Sequence, residues 1–259
     1  MRRSLGVGIT VLLLALAAPA LAADMKVKTS DITIKSGDEE IKAFLVEPEG
    51  KGPFPAIVVI QEWWGLTDWI KDNAKRLAEQ GYVTLAPDLY RGKVADKPAT
   101  AKELLQGMPK DRALRDLKAA VDTLVARDTV NKERLGSIGW CMGGGYSLQL
   151  ALRDERIKAC AMCYGPVVTD AGKLKPLKAT ILGIFGEEDR GIKPEDVQAF
   201  EAALKKADKN IEAIKEFKAG HGFMRPDGPG GKNPVYREAE AKQAWQDIDK
   251  FFAKTLRGK

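Results

Sequence analysis

Residues 134–145 have the sequence RLGSIGWCMGGG, and this stretch decides the fold of the chain. A strand is predicted over 134–140, and a helix is predicted to begin directly after Cys141. Gly139 and Gly143 flank the cysteine in the pattern G-x-C-x-G, which is typical of a sharp strand-to-helix turn that carries a nucleophile. Free N–H groups at the start of the helix favour a thiolate at Cys141. A glycine-rich turn around a buried cysteine has the same pattern, so the turn alone leaves both interpretations open.

Short apolar runs alternate with amphipathic helices on both sides of this turn. Residues 56–61 (AIVVIQ) form a β-branched run of the kind found in strands buried on both faces. The alternation predicts an α/β chain with a mostly parallel central sheet and helices on both faces. The segment 91–109 is polar and is predicted to be irregular. The other predicted strands cover 41–46, 82–86, 159–163, 180–185 and 211–217, and the predicted helices cover about 68–80, 110–126, 194–206 and about 235–256.

Four side chains with reactive groups follow predicted strands, namely Glu62, Cys141, Asp189 and His221. Active sites of parallel sheets lie at the carboxyl ends of the strands, so these side chains are expected to meet. His221 is the only histidine of the chain. A histidine-dependent triad in this protein must therefore use His221 as its general base.

The acidic partner of His221 is expected in the loop after strand 180–185. Asp189 could orient the imidazole and stabilise its charged form, but Glu187 and Glu188 lie in the same loop. The spacing of these carboxylates does not separate them, and a solvated acidic loop has the same composition.

The segment 61–65 (QEWWG) follows the predicted buried strand. A carboxylate at the end of such a strand is costly without a partner or a task, which makes Glu62 a candidate site residue. The loop at this position and the turn after Cys141 are expected to supply two backbone donors to an oxyanion hole, the N–H groups of Trp63 and Met142.

Together these segments resemble the dienelactone hydrolase family. The resemblance spans about 56–225 in family order and is carried by QEWWG at 61–65, PDLY at 87–90, GWCMGG at 139–144, FGEED at 185–189 and HGFMR at 221–225. It implies an α/β-hydrolase fold and a carboxylic ester hydrolase that cleaves small esters or lactones. It also implies a Cys141–His221–Asp189 triad that needs no metal and no cofactor. Glu62 then interacts with the resting thiol, and substrate binding releases the thiol to pair with His221.

The resemblance also suggests how substrate is held. Arg225 matches one of two arginines with which family members hold the carboxylate of dienelactone. The second arginine does not align, although Arg91 or Arg112 could substitute. A surface role for Arg225 is equally compatible with the sequence. The expected substrate is a small apolar ester or lactone bearing a carboxylate, held against an apolar rim that includes Trp63, Trp64, Phe223 and Met224.

The first residues differ from the rest of the chain. Arg2 and Arg3 precede an apolar run centred on 11–16, and Ala20-Leu21-Ala22 is typical of a cleavage site. Residues 1–22 are therefore predicted to be a secretory signal peptide, with an uncleaved membrane anchor as the alternative. Residues 23–259 are predicted to form one domain, periplasmic or secreted and free of the membrane after cleavage.

The charge pattern indicates few macromolecular partners. The formal net charge is +6, but basic and acidic residues are interspersed, which favours a solvated surface over a nucleic-acid interface. The expected partner is a small-molecule substrate, and the family-based expectation for the oligomeric state is a monomer.

The three cysteines leave two further hypotheses open. Cys160 and Cys163 are predicted to lie on opposite faces of one strand, which disfavours a disulfide and a shared metal site. An odd number of thiols leaves one free for chemistry, and Cys141 is the candidate. A non-catalytic exported binding protein and a thiol-redox protein that uses Cys141 remain alternatives to the hydrolase.

Overall fold

The computed structural model describes residues 25–228 and 231–258. Their main feature is a sheet with the strand order β1-β2-β4-β3-β5-β6-β7-β8. Strands β3 to β8 run parallel to one another, whereas β2 is antiparallel to both β1 and β4. The strands are β1 (Val27–Ser36), β2 (Glu39–Pro48), β3 (Phe54–Ile60), β4 (Val83–Pro87), β5 (Val130–Trp140), β6 (Ile157–Cys163), β7 (Thr180–Gly186) and β8 (Ile211–Phe217).

Helices cover both faces of this sheet, as predicted. The helices are α1 (Asp68–Glu79), α2 (Pro98–Gln106), α3 (Lys110–Val125), α4 (Met142–Ala151), α5 (Ala171–Leu174), α6 (Pro194–Lys206) and α7 (Glu238–Phe252). A π-helical turn at Ala253–Arg257 extends α7, and a two-stranded hairpin joins β9 (Asp227–Gly228) to β10 (Gly231–Lys232).

Strand β3 shows why the sheet is buried on both sides. Its side chains alternate between two apolar cores, with Val58 and Ile60 in one and Ile57 and Val59 in the other. Helices α3, α4 and α6 pack into the first core, and α1 and α7 pack into the second. Burial on both faces explains the continuous apolar run that marks this strand in the sequence.

Two elements differ from the sequence prediction. Segment 91–109 was expected to be irregular but contains α2, in which Ala101 is the one buried residue. A helix that buries so little has no apolar stripe to reveal it. Strand β1, which was not predicted, lies at the edge of the sheet and is largely exposed. Its sequence therefore lacks the buried run of the central strands.

The predicted leader lies outside the described residues. Within 25–228 and 231–258, no helix combines the length and the apolar character required to cross a membrane.

Candidate active site

Cys141 lies at the turn between β5 and α4 with a backbone conformation that non-glycine residues rarely adopt. Its φ is 54° and its ψ is −121°. Such strain costs about 1–3 kcal/mol and persists only where the surrounding structure imposes it. A Cβ atom at Gly139 would collide with the backbone of Gly143, and one at Gly143 would collide with the carbonyl oxygen of Ile60. These glycines therefore allow strand and helix to close around the cysteine.

His221 and Asp189 come together at the same end of the sheet. His221 Nδ1 lies 2.7 Å from Asp189 Oδ2. The other carboxylate oxygen, Asp189 Oδ1, accepts hydrogen bonds from the N–H groups of Gly191 at 2.7 Å and Ile192 at 3.0 Å. Asp189 is buried, whereas Glu187 and Glu188 are exposed. The structure thus separates three carboxylates that spacing did not.

The ionisation of His221 is coupled to both of its neighbours. Burial alone lowers its pKa, but hydrogen bonds to Asp189 and to the Cys141 side chain, together with their charges, raise the pKa to about 10. Burial raises the pKa of Asp189, yet His221 and the two backbone donors outweigh this and hold it below its usual value. At neutral pH the pair is therefore an imidazolium beside a carboxylate.

Two backbone amides near Cys141 are available as hydrogen-bond donors. Met142 is the first residue of α4, where N–H groups have no partner within the helix. Among the described residues, neither the Met142 N–H nor the Trp63 N–H donates a hydrogen bond. Both residues line the same cavity as Cys141. An oxyanion hole requires unpaired N–H donors of this kind.

Glu62 forms an ion pair with Arg225. Among the described residues, its carboxylate forms no hydrogen bond with the Cys141 thiol. Arg225 Nη1 lies 2.7 Å from Glu62 Oε2, and the exposed fractions of the two residues are 8% and 3%. Burial raises the pKa of Glu62, and the Arg225 charge opposes this rise. Cys141 and His221 line the same cavity, and Cys141 contributes to the raised pKa of His221.

A cavity of about 760 Å³ opens in front of the cysteine, and it is lined mostly by apolar side chains. Cys141, His221 and Trp63 line it near the triad. Arg225 and Trp64 are not among its lining residues, and the Arg225 guanidinium lies over the rings of Trp64 and Trp69 at 6.0 and 5.6 Å. Arg225 was expected to bind the carboxylate of a substrate. Instead, its guanidinium contacts the Glu62 carboxylate and lies over two indole rings.

Phe223 and the two alternative arginines also lie elsewhere than expected. Phe223 is 0% exposed and packs against Tyr164 and Phe217 in the core, so it forms no part of a rim. Arg91 binds Asp116 at 2.6 Å, and Arg112 donates to the Leu89 carbonyl. Neither arginine lines the cavity. Apolar packing of Phe223, the ion pair of Arg91 and the backbone hydrogen bond of Arg112 account for these positions.

Tyr164 is a site residue that the sequence analysis missed. It directly follows β6, has a φ of 38°, and its ring meets the His221 ring edge-on with 5.2 Å between centroids. Its hydroxyl is buried without a hydrogen-bond partner among the described residues. Inspection of the residue after every strand, applied to β6 as well, would have found it.

Cys160 and Cys163 lie on opposite faces of β6, as predicted. Cys160 belongs to the first core and Cys163 to the second, and all three cysteines are free thiols. Burial raises the pKa of Cys160 to about 11 and that of Cys163 well above its usual value. Both thiols are therefore expected to be unreactive, whereas Cys141 lines the cavity.

Several known proteins are similar to this chain in sequence and in fold. The model of the dienelactone hydrolase family matches residues 41–256. A protein of Methylorubrum extorquens, provisionally named carboxymethylenebutenolidase, is 31% identical over 236 residues, covering 86% of this chain and 79% of that protein. A Salmonella typhimurium protein with the same provisional name is also 31% identical, covering 85% of each chain.

A solved structure described as a provisional dienelactone hydrolase from Klebsiella pneumoniae superposes with a TM-score of 0.78. It is 29% identical and covers 88% of this chain and 99% of its own. The mostly parallel sheet, the turn at the end of β5 and these matches agree with one another. The chain belongs to the dienelactone hydrolase family, a family of carboxylic ester hydrolases.

Proposed function

We propose that this protein hydrolyses small esters or lactones through a Cys141 thiolate, with His221 as acid and base and Asp189 as its orienting group. The observation that carries the proposal is the position of His221, whose Nδ1 lies 2.7 Å from Asp189 Oδ2 and which lines the same cavity as Cys141. A positive charge on His221, whose pKa is raised to about 10, favours negative charge on the attacking sulfur.

The reaction then proceeds in two halves. The thiolate attacks the ester carbonyl, and the N–H groups of Trp63 and Met142 stabilise the resulting oxyanion. Collapse breaks the bond to the leaving alkoxide, which takes the imidazolium proton. Neutral His221 next removes a proton from water, whose oxygen attacks the thioester. The second collapse releases the acid and restores the thiolate beside the imidazolium.

These steps use groups of one chain and one water molecule, so they require no cofactor and no second subunit. We therefore propose that the enzyme acts as a monomer on small molecules. The cavity of about 760 Å³ is within the range of small-molecule sites, and its apolar walls favour an apolar substrate.

A reactive Cys141 predicts selective alkylation. In the native protein at neutral pH, iodoacetamide is expected to modify Cys141 alone, because Cys160 and Cys163 are 0% exposed. His221→Ala removes the stabilising imidazolium and is expected to slow the modification at least about tenfold. Peptide mass analysis of timed samples gives the rate at each cysteine, and unfolded protein serves as the control in which all three react. Equal, slow labelling of the three native thiols would favour the non-catalytic alternative.

We further propose that residues 1–22 direct export and are removed, so that the mature enzyme acts in the periplasm or outside the cell. The support is the basic start, the short apolar run and the Ala20-Leu21-Ala22 sequence. Amino-terminal sequencing of the protein from a bacterial periplasmic fraction is expected to begin at Ala23. Recovery of the full-length chain in the membrane fraction would support the uncleaved anchor instead.

A further inference from the structure

The cavity in front of Cys141 extends along helix α4. Gly145, Tyr146, Gln149 and Arg153 all line it, and their spacing of three or four residues places them on one face of the helix. Arg153 follows the end of α4 and lies 12 residues beyond Cys141. Helix α4 has 10 residues, so at a rise of 1.5 Å per residue the groove along it runs for about 15 Å. This exceeds the reach of a compact lactone at the triad.

The walls of this groove are apolar between its two ends. Leu105, Leu114, Val167 and Val168 are among the residues that line it. Leu105 is 37% exposed and is one of two large apolar side chains exposed among the described residues. A solvent-exposed apolar side chain beside an apolar groove favours the binding of an apolar ligand.

The distal end of the groove is basic. Arg153 lines it there, and a second cavity of about 390 Å³ meets it at Arg153 and adds Lys173; Lys110 is a further cation of the first cavity. Asp111 is the one acidic residue among those that line the two cavities. None of the three cations forms an ion pair among the described residues, since Arg153 donates only to Gln149. Their exposure allows a charged ligand group to remain hydrated.

We infer that the preferred substrate is a linear ester whose acyl chain ends in a carboxylate, with its reacting carbonyl at Cys141 and its terminal carboxylate at Arg153 and Lys173. The inference rests on the proposed hydrolase function and adds the substrate class. The apolar walls hold the methylene chain, and its length spans the groove. Arg225 does not serve this purpose, because Glu62 already neutralises it.

The test compares p-nitrophenyl monoesters that differ only at the far end of the acyl chain. The long pair is the monoester of dodecanedioic acid and p-nitrophenyl dodecanoate, and the short pair is the monoester of succinic acid and p-nitrophenyl butyrate. The measured quantity is the ratio of kcat/KM for the carboxylate-ended ester to that for the methyl-ended ester. For the full-length mature enzyme we expect a ratio of at least about five for the long pair and close to one for the short pair, because only the long chain reaches the cations.

Arg153→Gln is expected to reduce the long-pair ratio about threefold, and Arg153→Glu is expected to bring it below one. Lys28→Gln is the matched control, because Lys28 is exposed on β1, the outermost strand of the sheet. It changes the net charge equally and should leave the ratio as in the unmodified enzyme. Added salt should lower the ratio, since exposed charges are screened.

The outcomes separate this inference from the proposed function. Hydrolysis of short neutral esters with a long-pair ratio near one would overturn the inference and leave the proposed function standing. An equal fall of the ratio in Arg153→Gln and Lys28→Gln would also overturn it, because the effect would then be one of net charge. Failure to hydrolyse any of the four esters would overturn both.

Discussion

Replacement of His221 by alanine is expected to reduce kcat/KM for ester hydrolysis by roughly four orders of magnitude. In the proposed mechanism the imidazole supplies the proton to the leaving alkoxide and removes a proton from water, and the sequence contains no second histidine to replace it. Cys141→Ala should cause a loss of similar size, because it removes the attacking atom. The measurement is hydrolysis of p-nitrophenyl acetate by purified variants, with circular dichroism to check that each remains folded.

The combined variant tests whether the two residues act as a unit. If they do, Cys141→Ala/His221→Ala should be no less active than either single variant, because each single change already abolishes the step that the two residues catalyse together. Cys160→Ala is the matched control, since it removes a thiol that is buried and away from the cavity. Full activity of His221→Ala on every ester that the unmodified enzyme hydrolyses would disprove the triad.

Breaking the Glu62–Arg225 pair is expected to have the largest effect on stability. Glu62→Ala leaves the buried Arg225 guanidinium without its carboxylate and should lower the free energy of unfolding by about 3–5 kcal/mol. Arg225→Met should lower the free energy of unfolding by a similar amount, because it leaves the buried Glu62 carboxylate without its cation. Urea unfolding followed by fluorescence gives these values directly.

A double variant distinguishes loss of the pair from loss of packing. Glu62→Leu/Arg225→Met removes both charges and should be more stable than either single variant, since no uncompensated charge remains. Glu201→Ala is the control, because it breaks an exposed pair with Lys205 on α6 and should cost less than about 1 kcal/mol. If the double variant loses the sum of the two single losses, the pair is not coupled in this way.

The parts of the fold that could be predicted are those whose burial leaves a local pattern. Strand β3 was predicted because both of its faces are buried, and helix α3 was predicted because its apolar residues recur at helical spacing. Strand β1 and helix α2 were missed for the converse reason. Each buries few side chains, so neither has a pattern that differs from an exposed loop.

The candidate site was predictable to the extent that its residues follow strands. The carboxyl ends of parallel strands share one edge, so Cys141, Asp189 and His221 could be expected to meet before their distances were known. The choice of Asp189 over Glu187 required either the resemblance to a family or the buried position that the structure shows. Exposure of a loop carboxylate depends on what packs over it, and spacing does not contain that information.

By itself, the amino-acid sequence determined the fold class, the order of the central strands and helices along the chain, and the turn that carries Cys141. Periodicity and glycine placement are local properties, and they depend only on near neighbours. Only the tertiary structure decided that Arg225 neutralises Glu62, 163 positions away, and that Lys110 and Arg153 face the same groove. Such pairings depend on how distant elements pack, because a buried charge is stabilised by whichever opposite charge the fold brings to it.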